Sequence, residues 1–257
     1  MITIENIGYH IGHNTLLKEV YLQFHPGKLN LIIGPNGAGK STLIKILCNQ
    51  ILPDTGSVLF EQRDIKSISV KEMAKMRAVL SQNIELVFPM KVNEVVMMGR
   101  YPHFNASPQK RDFDICEETM SYFGVSDLAS RNYMTLSGGE KQRTHFARVA
   151  AQIWESNENE CRYLFLDEPL TFLDIYYQFD FLNKLKVLLS ASDLIVVGVV
   201  HDLHLAAKFA DNISLLYNGQ VLADGSVESV LTKENIKTAY RLDAEVQSAL
   251  NGIRLQF

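Results

Sequence analysis

The sequence predicts an α/β fold whose core is interrupted by a block of helices. Three observations predict it. The apolar segment "KLNLIIG" (28–34) reads as a buried strand running into a glycine-rich loop, and "KSTLIKILCNQI" (40–51) follows with apolar residues at helical spacing. Two more buried strands, "RYLFLD" (162–167) and "LIVVGVV" (194–200), flank a helical stretch at about 175–189. Between about 92 and 154 the pattern is helical, with no convincing strand. Strand–helix alternation wrapped around such a block is the pattern of an α/β core with a helical insertion.

The remaining elements follow in order. "TIENI" and "VYLQF" alternate apolar and polar residues, as half-buried strands do. "GSVLF" and "RAVLSQ" are short strands. "ISLLYNGQVLADG" (213–225) is a hairpin with Asn-Gly at its turn, and short helices are expected to close the chain. No internal repeat or interdomain linker is visible, and "ESNENE" (155–160) reads as a solvated loop. One domain over 1–257 is expected, with a core at about 1–83 and 162–225, a helical subdomain at about 84–161 and a helical tail at 226–257.

Composition narrows the function classes. Of 257 residues, 47% are hydrophobic and 21% charged, which suits one sizeable core and argues against disorder. A net charge of -4 offers no broad basic field for nucleic acid, leaving only a local patch open. The apolar runs are too short to span a membrane. "MITIENIGYHIG" lacks the pattern of a signal peptide. Cys48, Cys116 and Cys161 are odd in number and widely spaced, neither a disulfide framework nor a CxxC metal site. A cytosolic chain is expected, in which the sequons at Asn105 and Asn212 are chance matches.

"GPNGAGKS" fits G-x-x-x-x-G-K-[ST] with Gly34, Gly39, Lys40 and Ser41 in the fixed places, after a strand and before a helix. In such a loop, which runs through Gly34, Pro35, Asn36, Gly37, Ala38 and Gly39, the backbone N–H groups of every residue but Pro35 can turn toward phosphate oxygens, and the helix start at Lys40, Ser41 and Thr42 adds its positive dipole end. Lys40 reaches the β- and γ-phosphates, and the Ser41 hydroxyl ligates Mg²⁺. Asp167 ends the strand of "YLFLDEP", where open α/β sheets collect ligands, and is placed to hold Mg²⁺ through water. Glu168 follows, placed to orient and deprotonate an attacking water. Two carboxylates after a strand would otherwise be surface groups; the phosphate loop decides between the readings. His201 ends the next strand and could hydrogen-bond the γ-phosphate, although a strand-end histidine alone is more often structural. Gln82 ends another and could touch Mg²⁺ or the attacking water.

Taken in order, "GPNGAGKST", Gln82, "LSGGE" with "KQR", "LFLDEP", "LD" and His201 resemble the ATP-binding-cassette (ABC) family over nearly the whole chain. The resemblance implies a P-loop NTPase (RecA-like) core, an N-terminal antiparallel β subdomain and an inserted α-helical subdomain carrying the "LSGGE" signature. It implies ATP and Mg²⁺ as cofactors. It also accounts for a second glycine-rich loop in a chain with one phosphate loop. In that family two copies pair head to tail, so Ser137, Gly138 and Gly139, with Glu140, would bind the γ-phosphate held by the partner's Lys40. A serine hydroxyl and backbone N–H groups at a helix start suit an anion. By the same resemblance Tyr9 would stack on adenine, with His10 as a neighbouring candidate and a core role for Tyr9 as the rival. Asp174 of "TFLD" matches an interface aspartate. The family's common form there is "SALD", and Thr171 and Phe172 depart from it.

One phosphate loop and one signature, without a long coiled-coil insertion, argue against tandem translation factors and chromosome-organising cassettes. A stand-alone subunit that docks on a separate membrane permease remains. "VVMMGRYPH" (95–103) resembles the cassettes of bacterial importers for ferric siderophores, heme and vitamin B12, although Met97, Met98 and Tyr101 could merely pack a helix. "AQIWESNENECRY" (151–163) adds a resemblance to heme-importer ATPases. The partners implied are a second copy, transmembrane permease subunits and, indirectly, a periplasmic substrate-binding protein. No nucleic acid is expected. The location implied is peripheral, at the cytoplasmic face of the bacterial inner membrane. A soluble regulatory or nucleic-acid-associated switch is the rival, and a generic P-loop kinase has no use for "LSGGE".

Overall fold

Period-2 alternation near the N-terminus builds a first, antiparallel sheet. The computed structural model describes residues 1–81, 86–155, 161–190, 193–249 and 252–257. The chain begins with β1 (Ile2–Ile11), β2 (Asn14–Phe24), β3 (Leu29–Ile33), α1 (Lys40–Leu47), β4 (Thr55–Phe60) and β5 (Arg63–Asp64). Strands β2, β1, β4 and β5 pair antiparallel in that order, and β1 and β2 run well beyond "TIENI" and "VYLQF". Next come α2 (Val70–Met76) and β6 (Arg77–Leu80), then the helical block of α3 (Val92–Met97), α4 (Lys110–Tyr122) and α5 (Gly138–Gln152). The sequence reading missed α2. Its start signal was Ser69 followed by Glu72: the serine hydroxyl accepts from the Glu72 N–H at 3.2 Å.

After the block the chain forms β7 (Arg162–Asp167), α6 (Ile175–Ser190), β8 (Leu194–Val199), α7 (Leu203–Phe209), β9 (Asn212–Tyr217) and β10 (Gln220–Gly225). These complete a six-stranded sheet, ordered β10-β9-β3-β8-β7-β6, parallel except for β10. Every residue of β3, β7 and β8 is buried, as central parallel strands require. Alternate residues serve two cores. Ile32, Tyr163, Phe165, Ile195 and Val197 pack with Leu43 and Leu47 of α1 and with Ile2, Phe24 and Phe60 of the first sheet. The Phe60 and Tyr163 ring centroids lie 4.3 Å apart. On the opposite face Leu31, Leu164 and Val196 join Val95, Ile115, Phe146, Phe181 and Leu185, with the Phe146 and Phe181 rings stacked at 3.7 Å. The helical block therefore shares one apolar cluster with the sheet and with α6.

One expectation is corrected. The tail begins with α8 (Val227–Val230) and α9 (Lys233–Tyr240) but ends in an antiparallel hairpin of β11 (Glu245–Ala249) and β12 (Gly252–Gln256). Its alternation is short but regular. Leu255 is buried and Val246 and Ile253 pack on the core, while Glu245, Gln247, Arg254 and Gln256 face out. Strand β12 lies along α7.

Candidate functional site

Strands β3, β8, β7 and β6 are parallel neighbours, with Ile32 opposite Val199, Val199 opposite Asp167, and Leu166 opposite Leu80. The chain thus leaves all four at one sheet edge. That edge gathers the phosphate loop after β3, His201 after β8, and Asp167 with Glu168 at the end of β7. Gln82 lies outside the described residues.

Gly34 opens the loop with φ 146, and a Cβ there would stand 2.2 Å from the Leu216 carbonyl oxygen, so only glycine lets the strand turn here. Lys40 is 6% exposed. Its Nζ donates to the carbonyls of Gly34 at 2.8 Å and Pro35 at 2.9 Å. Burial pulls the Lys40 pKa below its usual value, opposed by the charges of Glu168 and Asp167. A desolvated ammonium at the mouth of a helix-start loop is complementary to phosphate.

Asp167 is 8% exposed and accepts from the Ser41 hydroxyl at 3.1 Å. Burial raises its carboxyl pKa, the Ser41 hydrogen bond opposes this, and the neighbouring Glu168 raises it further. A hydroxyl and a carboxylate converging in a desolvated place form a hard oxygen set that fits Mg²⁺ completed by phosphate and water. Among the described residues, no cluster of three or more His, Cys, Asp or Glu side chains could hold a metal, so a protein-only cage is not offered there.

Glu168 has a left-handed backbone, φ 52, which aims its side chain from the sharp turn after β7. Its Oε1 lies 2.7 Å from His201 Nε2. The sequence placed both residues at the edge without pairing them; the structure joins them. Beside them opens a cavity of about 190 Å³ bordered by Leu170, Gln178, Val200 and Leu205, room for several waters at about 30 Å³ each.

The second glycine-rich loop starts α5. The Ser137 hydroxyl accepts from the Glu140 N–H at 3.3 Å, and the Glu140 carboxylate accepts from the Ser137 N–H at 2.8 Å and hydroxyl at 2.9 Å. These bonds, the backbone one first, hold the Glu140 pKa down. Ser137 and Gly138 are exposed. Phe172 lies against Gly138, with a hypothetical Cβ 3.4 Å from the Phe172 Cβ. Phe172 itself has φ 70 and is 70% exposed. Gln142 Nε2 donates to the Pro169 carbonyl at 2.7 Å, binding α5 to the turn after Glu168. Asp174 caps α6, accepting from the Tyr177 N–H at 3.0 Å. Tyr9 is half-buried at the edge of the N-terminal core, and His10 is bound to Asp54.

"GRYPH" has a structural role that the sequence did not disclose. A Cβ at Gly99 would stand 2.1 Å from the Arg148 carbonyl oxygen. Arg100, 4% exposed, donates to Asp112 at 3.0 Å and to the Ala151 carbonyl at 2.7 Å. His103 Nε2 meets the Gln152 carbonyl at 2.8 Å, and Arg162 donates to the carbonyls of Ile153 and Trp154. The Gln152 side chain donates to the carbonyls of Ala74 and Arg77. Carbonyls at and just past the C-terminus of α5 are thus satisfied by side chains. Arg100→Ala, which strands the buried Asp112, is expected to cost about 3–5 kcal/mol and lower the Tm by about 10 °C. A calorimetric Tm within 2 °C of the parent, roughly the shift of a 1 kcal/mol change, would contradict this clamp.

Comparison with known proteins follows the same lines. The family profile described as "ABC transporter" matches residues 17–171. A hemin import ATP-binding protein HmuV from Gloeobacter violaceus is 44% identical over 96% of this chain and 89% of its own length. The protein of that name from Escherichia coli O157:H7 is 38% identical over 96% and 94%. A metal-chelate type ABC transporter in an inward-facing conformation superimposes with a TM-score of 0.83 at 25% identity, covering 99% of this chain and 96% of that one. A dimeric bacterial ABC transporter cassette superimposes with a TM-score of 0.76 at 25% identity, covering 88% and 99%.

Proposed function

The chain belongs to the ABC transporter family, and from that premise we propose that it is the ATP-hydrolysing subunit of a bacterial importer whose cargo is heme. The observation that carries the hydrolytic reading is the shared sheet edge: Lys40, the Ser41–Asp167 pair and the Glu168–His201 pair converge there. Nearly full-length relatives named for hemin import support the cargo.

Each residue's part follows from its setting. Lys40 exchanges its carbonyl partners for β- and γ-phosphate oxygens. Ser41 and Asp167 hold Mg²⁺, which when bound neutralises charge on the phosphates. Glu168 takes the proton of the attacking water, and His201, 2.7 Å away, keeps its carboxylate aimed and reaches toward the γ-phosphate. Gln82 is assigned to the same water and metal from its place after β6. Ser137 and Gly138, both exposed, and the half-buried Gly139 serve the nucleotide of a second copy, with Asp174 at the same interface. The dimeric form of a related cassette supports that pairing. Tyr9 is the adenine-stacking residue.

Among the described residues no helix is long and apolar enough to cross a membrane. The chain acts peripherally at the cytoplasmic face of the inner membrane, on permease subunits that receive cargo from a periplasmic binding protein. ATPase rates with the permease in lipid test the cargo. Heme, ferric siderophore and cobalamin are offered in turn on their binding proteins. Stimulation by heme alone is expected. Stimulation by another cargo keeps the importer and discards heme; silence toward all three, with an intact permease, favours a soluble switch.

A further inference from the structure

Tyr133 and His145 stand outside the machinery described above, yet both are buried beside the signature loop. Tyr133 opens the 3-10 turn Tyr133–Thr135 just before Leu136. His145 lies two turns into α5, and each residue is 3% exposed. The Tyr133 hydroxyl and His145 Nε2 are 2.7 Å apart. Burial, helped by the Arg148 and Lys141 charges, holds the imidazole neutral, its pKa down at about 3. A neutral ring presents at Nε2 either an N–H or a lone pair, and a phenol can answer either. Nδ1 has no hydrogen-bond partner among the described residues, so the Tyr133 bond anchors the ring.

Tyr133 is also a backbone junction. Its N–H donates to the Met90 carbonyl at 2.8 Å, and its carbonyl accepts from the Leu136 N–H at 3.2 Å. The Val92 N–H donates to the Arg131 carbonyl at 3.1 Å, and Lys91 bridges Asn132 in antiparallel fashion. The residues that enter α3 are thereby stitched to those that enter the signature. We propose that Tyr133 and His145 are a positioning pair: their bond fixes on α5 a signature loop whose backbone is already tied to the 90–92 segment, so ATP turnover depends on two residues outside every phosphate-binding motif. This rests on the ATPase reading above.

The test compares the full chain with Tyr133→Phe, His145→Leu, the double variant and His145→Gln, measuring Tm, ATP affinity, KM and kcat. Tyr133→Phe is expected to hold ATP affinity within about twofold while lowering kcat about tenfold, the scale of a slightly misplaced group. The double variant removes both polar partners and should regain Tm without regaining kcat. His145→Gln, whose amide can still meet the phenol, should recover much of the rate. Recovery of kcat together with Tm in the double variant, or an unchanged kcat in Tyr133→Phe, overturns the pair as a positioning device. A parent chain that neither hydrolyses ATP nor pairs on it overturns the ATPase reading instead, and the pair's role with it.

Discussion

Glu168→Gln is expected to bind ATP as the parent does, to lose about 10²- to 10⁴-fold in kcat, and to accumulate as an ATP-bound dimer. The range is that of a positioned general base. The amide keeps the size of the carboxylate and can still meet His201 Nε2, which lies 2.7 Å from Glu168 Oε1, so the turn after β7 should stay in place. What it cannot do is accept a proton. Binding without hydrolysis leaves the closed pair with no way to reopen, and gel filtration with ATP reads that directly. Single-turnover kinetics read the chemical step. Parent-like turnover would falsify the base assignment; lost ATP affinity would instead make Glu168 a binding residue.

Lys40→Ala acts one step earlier. A buried ammonium paired with phosphate is worth about 2–5 kcal/mol by truncation, so ATP affinity should fall about thirtyfold or more. The same lysine gives a diagnostic in the ligand-free chain. Burial lowers its pKa, so the fold holds the charged form against desolvation, and the charges of Glu168 and Asp167 offset that only in part. Truncation should therefore leave the nucleotide-free Tm undiminished while binding is lost. Calorimetric titration and thermal unfolding on the same sample separate the two. Affinity within twofold of the parent would remove Lys40 from the phosphate site.

Much of this site was legible because its chemistry is local. Gly34 to Thr42 and Asp167 to Glu168 are contiguous, and the strands before them are apolar enough to fix which sheet edge they reach. What could not be read depends on contacts between distant segments. Nothing in "DEP" or "GVVHD" says that Glu168 and His201 sit within hydrogen-bond distance. Phe172, a departure from "SALD", finds its seat on Gly138, 34 residues earlier in the chain. "GRYPH" was legible as a resemblance but not as a clamp, because apart from Asp112 its partners are carbonyls of α5, and backbone oxygens carry no sequence mark. The terminal hairpin was hidden by brevity: two five-residue strands give little periodicity to weigh against a helical reading.

The clamp on α5 has a mechanical side. This helix of 15 residues is gripped at its far end by Arg100, His103, Arg162 and the bonds of Gln152. Its near end carries Ser137. At 1.5 Å per residue the helix is about 22 Å long, so a tilt of about 10° about the gripped end sweeps the serine through about 4 Å. By holding the far end against such a tilt, the "GRYPH" contacts fix where the serine at the near end stands to within about an atom's width.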